Sequence, residues 1–331
     1  MEPRAKEPRQ RTILRPGELV QIRSEPEILA TLDPTGRLDG LPFMPEMLRH
    51  CGETQRVFKR ADKTCDSVWV PGMRTMTSAV FLWGLRCDGS AHGGCQAGCL
   101  FFWKEEWLRP VAPEGEADRD RRRHGESGVA NGGEPRITRG GLEAAARVES
   151  APGTETFSCQ ATELGKATTP LRALPWWDIR QYAQDVRSGN VGVGHVAHVM
   201  LRLLAIAVRL RMSRGAFRPE PGGVSIASTS PLNLQPGDRV KVRSRQEIEA
   251  TLGPTNRNRG LSFTEEMARY CGGEFSVLSR VERIIHEPTG RMMTLRDCIV
   301  LDGVTCQGGF HAFCPRNVYV YWREAWLRRL D

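Results

Sequence analysis

The stretch Pro16-Gly17-Glu18-Leu19-Val20-Gln21-Ile22-Arg23-Ser24 returns 220 residues later as Pro236-Gly237-Asp238-Arg239-Val240-Lys241-Val242-Arg243-Ser244. The offset holds without a gap from Pro16 to Gly52, and 21 of those 37 positions are identical. Matched pairs include Phe43/Phe263, Glu46/Glu266, Met47/Met267 and Cys51/Cys271. After one deleted residue the offset is 219, and Trp103-Lys104-Glu105-Glu106-Trp107-Leu108-Arg109 falls on Trp322-Arg323-Glu324-Ala325-Trp326-Leu327-Arg328. The chain is a tandem duplication with copies at 16–110 and 236–331, each the size of a small domain.

The duplication divides the rest. Residues 1–15 read as an N-terminal tail. Residues 111–150 contain Glu114-Gly115-Glu116, Arg121-Arg122-Arg123 and Gly132-Gly133, and their charge and glycine content predict a flexible linker. Residues 151–235 regain apolar content and read as a helical connector: one helix starts at Asp178 and ends at Ser188-Gly189-Asn190, and a second runs over 195–212. In the second copy, Val240–Val242, Phe275–Ile285, Met292–Leu295 and Cys298–Leu301 read as short strands, with short helices at Gln246–Leu252 and Thr264–Tyr270. The expected fold class is mainly β with an α connector. A Pro-Gly-Asp-x-Val opening, a meander and a closing aromatic turn resemble an SH3-like barrel in each copy.

Composition narrows the function classes. The chain has 331 residues, 40% hydrophobic and 26% charged, which excludes wholesale disorder and a polytopic membrane protein. The net charge of +8 rests on 41 arginines and only six lysines, a skew that a GC-rich genome produces without a nucleic-acid partner. Nucleic acid is therefore not expected, although arginine-rich surface suits an anionic ligand. The polar N-terminus carries no secretory signal, so a cytoplasmic location is expected, where clustered cysteines serve more often as metal ligands or buried thiols than as disulfides. The segment 195–212 suits either packing against both copies or peripheral membrane contact.

The ten cysteines fall into two groups. Cys51/Cys271, Cys87/Cys306 and Cys95/Cys314 occur in both copies, and His92/His311 is the only histidine pair, whereas Cys65, Cys99, Cys159 and Cys298 have no counterpart. Three thiolates and one imidazole complete a tetrahedral zinc site, so two structural Zn ions are expected, one on Cys51, Cys87, His92 and Cys95 and one on Cys271, Cys306, His311 and Cys314. Gly89, Gly93, Gly94, Gly308 and Gly309 free the loop to fold round a small ion. Reduced core cysteines and an iron–sulfur or catalytic metal are the alternatives. Cys87-Asp88-Gly89-Ser90-Ala91-His92 resembles the CDGSH iron–sulfur motif but has cysteine and histidine one residue too far apart and no upstream Cys-x-Cys.

The strings Arg259–Phe263, Arg269-Tyr270-Cys271-Gly272-Gly273, Cys314-Pro315-Arg316 and Tyr321-Trp322-Arg323-Glu324 resemble a bacterial family of duplicated Cys3His-containing proteins, itself of uncharacterised activity. The first copy departs at Cys95-Gln96-Ala97-Gly98, which lacks Pro-Arg, and at His50 in place of tyrosine. This resemblance implies the domain plan and no chemistry.

No phosphate loop, dinucleotide fingerprint, HExxH or Gly-x-Ser-x-Gly motif occurs. The duplicated polar pairs Glu27/Glu247, Arg37/Arg257, Glu46/Glu266, Arg49/Arg269, Glu105/Glu324 and Arg109/Arg328 are read as caps, ion pairs or solvated faces before catalytic groups. An aromatic ligand groove is expected from Phe101, Trp103, Tyr319, Tyr321 and Trp322. The expected function is a zinc-stabilised, bivalent protein-binding scaffold. The alternative is an enzyme of a bacterial biosynthetic pathway with its site between the repeats.

Overall fold

The alternation of Val20 and Ile22 with polar neighbours makes the strand Leu19–Ile22, and both side chains are fully buried. In the computed structural model, which describes residues 13–66, 72–111, 134–151, 154–172, 174–175, 177–212 and 232–330, this strand sits inside a curled antiparallel sheet. The sheet order is Leu100–Lys104, Ala79–Arg86, Thr54–Arg60, Leu19–Ile22, Leu108–Pro110. The second repeat has the same order: Tyr319–Arg323, Cys298–Thr305, Glu274–Arg280, Arg239–Val242, Leu327–Arg329. First and last strands are neighbours in both, with Val20 opposite Pro110 and Val240 opposite Arg329. Equivalent bulges, between Val57 and Lys59 and between Val277 and Ser279, bend each sheet into a half-barrel. The chain is therefore mainly β and built of two like units.

The duplicated residues are chiefly structural. Trp107 Nε1 donates to Thr31 Oγ1 at 3.1 Å and Trp326 Nε1 to Thr251 Oγ1 at 2.9 Å, which seats each indole in its core with its polar edge satisfied. The Leu14 amide donates to Glu105 Oε1 (3.0 Å), while Arg60 reaches both Glu105 Oε1 (2.6 Å) and the Leu14 carbonyl (2.7 Å). Leu234, Arg280 and Glu324 repeat this network. Glu27 pairs with Arg109, and Glu247 with Arg328. The catalytic candidates Glu27, Glu105, Arg109 and their counterparts thus hold strand to helix. Leu14 also assigns the end of the N-terminal tail to the first core.

The linker expectation needs correction at its C-terminal end; most of its length lies outside the described residues. Thr138 caps a helix over Arg139–Ala145 by accepting from the Gly141 amide, and Ile137 and Leu142 enter the first core. The connector is not only helical either. It contains a hairpin of Arg147–Ala151 with Thr154–Phe157, and a strand Thr169–Leu171 that extends the hairpin Lys63–Asp66/Gly72–Thr75 of the first repeat. The helix Arg180–Ser188 ends on Gly189, whose φ of +80° supplies the left-handed cap.

The helix Val193–Met212 packs Val199 and partly buried Val196 and Leu203 against Phe313 of the second repeat. Leu201, Leu204 and Val208 remain exposed, so it covers one repeat rather than being buried between two. No helix among the described residues is long and apolar enough to cross a membrane.

Candidate metal centre

The centre is built on the loop between Arg86 and Leu100. The Cys87 amide donates to the Cys99 carbonyl (2.8 Å) and closes the loop at its base. Inside, the His92 and Gly94 amides both donate to the Gly89 carbonyl, at 3.1 and 2.9 Å. Gly89 has φ +73°, and a Cβ there would fall on the Cys95 backbone. Gly308 repeats this, with φ +72° and a Cβ position 2.5 Å from the Cys314 carbonyl oxygen. Both loops therefore need glycine at the turn that brings the last cysteine back toward the first.

The loop and the 3-10 helix Pro45–His50 orient one imidazole from two sides. His92 Nε2 lies 3.5 Å from Cys87 Sγ, and Nδ1 lies 2.9 Å from Glu46 Oε1. That carboxylate oxygen also accepts the Ala91 amide at 2.9 Å. Glu46, Cys87 and His92 form a group whose donor atoms lie within 4.8 Å of one another, a possible metal-binding triad. Because glutamate and cysteine approach opposite ring nitrogens, one metal would take Cys87 and His92 Nε2, with Glu46 behind as the outer carboxylate that fixes the tautomer.

A metal would have to displace the proton that the ring holds in its absence. Burial alone lowers the affinity of His92 for a proton, but hydrogen bonds to Cys87, Cys95 and Glu46 outweigh it and raise the pKa well above the usual histidine range. Burial pushes the Cys95 thiol up, and bonds from His92 and from the Ala97 and Ile285 amides more than reverse it. Beside His92 the Cys95 thiol is thus lowered, while burial raises Cys87. Glu46 is lowered despite its burial, chiefly by the hydrogen bond and charge of His92.

Cys87, His92 and Cys95 line one cavity with Cys159 of the connector. Gln160 fixes Cys159 there: its side chain accepts from the Phe102 amide (2.8 Å) and donates to the Phe102 carbonyl (2.9 Å), clamping the connector to the sheet edge. Cys51 does not line the cavity. Its thiol, raised to about 11 by burial, faces Glu25, Arg139 and Glu53. Cys271 likewise faces Arg245 and Glu249. Cys51 follows the 3-10 helix Pro45–His50 with an extended backbone and is not among the residues that line the cavity with Cys87, His92 and Cys95.

The two repeats meet across these loops. In the hairpin Arg283–His286/Arg291–Thr294, the Ile285 amide donates to Cys95 Sγ at 3.4 Å. In the equivalent hairpin of the first repeat, the Cys65 amide donates to Cys314 Sγ at 3.1 Å. Cys65 and Ile285 are separated by the repeat offset of 220, so each repeat lays the same arm on the other's cysteine loop. Gln96 ties one arm down by accepting from the Glu282 and Arg283 amides (2.6 and 3.1 Å). Arg86 crosses the same boundary, stacking 4.1 Å over Tyr319 and donating to the Asn317 carbonyl at 3.0 Å.

The expected aromatic groove does not form. Phe101, Trp103 and Trp322 are at most 2% exposed and belong to the cores, because Trp103 and Trp322 lie on the inner faces of their sheets. Tyr319 is engaged by Arg86, and Tyr321 packs on Cys298 and Val300. Cys298 Sγ accepts from Arg323, which explains one unpaired cysteine as a core thiol. Sequence reading missed Cys159 and Cys65 because neither is duplicated. It noted Glu46/Glu266 as a pair without seeing the carboxylate behind the histidine. No family model matches the chain, and no match was found among curated proteins or solved structures.

Proposed function

We propose that the chain is a zinc-stabilised tandem module that works as a structural or accessory scaffold, its first ion held by Cys87, His92, Cys95 and Cys159. The observation that carries this is the buried His92 ring, with a thiol on one nitrogen and Glu46 on the other. Three thiolates and an imidazole suit Zn²⁺, and four protein donors leave no position for substrate. The adjacency of first and last strands in each repeat supports the SH3-like reading. A partner would be a protein engaged outside the buried aromatic turn.

One observation favours the enzyme alternative. Cysteine, histidine and glutamate in a chain is also the arrangement of a nucleophilic thiol. The cavity is lined from both repeats, including Ile285, Glu287 and Arg316. Its volume, about 50 Å³, admits about four waters, too little for an acyl group and an attacking water together. Elemental analysis separates the two: Cys87→Ser, His92→Ala and Cys159→Ser should each remove one zinc, and Cys51→Ser none. A first repeat free of zinc, with Cys95 rapidly alkylated by iodoacetamide, would favour the thiol enzyme.

A further inference from the structure

We infer that a second zinc centre is shared between the repeats, with Cys65 of the first joining Cys306, His311 and Cys314 of the second, so that the ion staples one to the other. It uses the chemistry proposed for the first centre but different residues.

The two arms that cross between repeats are equivalent, yet they carry different residues at the point of contact. Where the second repeat's arm presents Ile285 to the first loop, the first repeat's arm presents a thiol to the second loop. The backbone already holds Cys65 against Cys314, its amide donating to Sγ at 3.1 Å. Cys306 opens the same loop, its amide donating to the Val318 carbonyl (2.8 Å), and the Cys314 amide donates to the His311 carbonyl (2.9 Å). Each loop thus finds its missing thiol outside its own repeat, in the connector for the first and in the opposite arm for the second.

The surrounding charge fits. Zn²⁺ with three thiolates and a neutral imidazole carries a net single negative charge, which is costly to bury without compensation. Arg316, only 4% exposed and two residues after Cys314, brings a buried cation to the loop and shares it with Glu287 at 3.1 Å. His311 is exposed where His92 is buried, and the reason is local. Glu266 Oε1 accepts from the Gln307 amide at 2.9 Å, whereas Glu46 accepts from Ala91 beside the histidine. The Glu266 carboxylate thus binds the loop four residues before His311 and leaves that ring at the surface, where it would meet the ion from the solvent side.

The test counts zinc by native mass spectrometry on the full chain, in wild type and in Cys65→Ser, Cys65→Ile, Cys306→Ser, Cys271→Ser and Cys87→Ser. Cys65→Ile copies the residue at the equivalent point of the other arm and so keeps the hairpin packed. Wild type should hold two ions. Both Cys65 variants and Cys306→Ser should hold one, Cys271→Ser two, and Cys87→Ser one that is lost on adding Cys65→Ile. Two ions in Cys65→Ile would overturn the shared centre, as would one ion in wild type that survives Cys306→Ser, with the first centre left standing. Loss of two mass units from wild type, showing a Cys65–Cys314 disulfide, would also overturn it. Failure of the first centre reads differently: Cys87→Ser would then leave the count unchanged.

Discussion

Replacing Glu46 with glutamine removes one charge and keeps the shape, which makes it the sharpest probe of how His92 is used. Glutamine retains an oxygen for the Ala91 amide, so the loop should stay folded. What disappears is the negative charge 2.9 Å from Nδ1, which would stabilise the ring when Nε2 takes the metal. Outer-shell partners of this kind contribute about 10- to 100-fold in metal affinity, or about 1.4–2.7 kcal/mol. Glu46 is 5% exposed, so water cannot readily replace it and the upper half of that range is expected. The assay is competition against a chromophoric chelator in a Cys65→Ile background, where only the first centre should bind. Glu266→Gln is the internal control in the Cys159→Ser background, because Glu266 contacts Gln307 and not the histidine; its effect should stay within about threefold. Equal losses in both repeats, or an unchanged affinity in Glu46→Gln, would refute the outer-carboxylate role.

Three further outcomes follow from the folded state. Gly89→Ala should destabilise by more than the about 1–2 kcal/mol of left-handed strain alone, since its Cβ meets the Cys95 backbone; Gly17→Ala, at φ +91° with open space around it, should show only that strain in urea unfolding. Glu105→Leu strands Arg60 and the Leu14 amide in the first core and should cost about 3 kcal/mol in the same assay, partly offset because Arg60 keeps Asp62. Burial raises the Asp185 carboxyl to about 6 despite the Lys63 charge beside it. The folded state then keeps a proton that the unfolded chain has released, so this contribution is fully present below about pH 4 and is lost as pH rises through about 6. Asp185→Asn should flatten that part of a Tm-against-pH profile.

How much was legible in the sequence depended on whether a residue acts within its own repeat. Strand order, the paired tryptophans and the glycine turn of the Cys-x4-His-x2-Cys loop are local, so duplication displayed them twice. Retention in both copies singles out Cys51 and Cys271, yet Cys51 is not among the residues lining the cavity of Cys87, His92 and Cys95. Cys159 and Cys65 reach the loops through the connector and the crossing arm, contacts between segments 64 and 249 residues apart that no local pattern encodes. The aromatic turn misled for a different reason: Phe101-Phe102-Trp103 is a continuous apolar run, and both faces of its strand are buried. Ile137 and Leu142 show the remaining limit, since a glycine-rich, charged stretch hid two residues that fill a core.

X-ray absorption at the zinc edge of the wild-type protein reads the donor sets of both centres at once. The expected average first shell is three sulfurs near about 2.3 Å and one nitrogen near about 2.0–2.1 Å, unchanged in Cys51→Ser and Cys271→Ser. A shell of two sulfurs with oxygen, or one that loses a sulfur in Cys51→Ser, would contradict it.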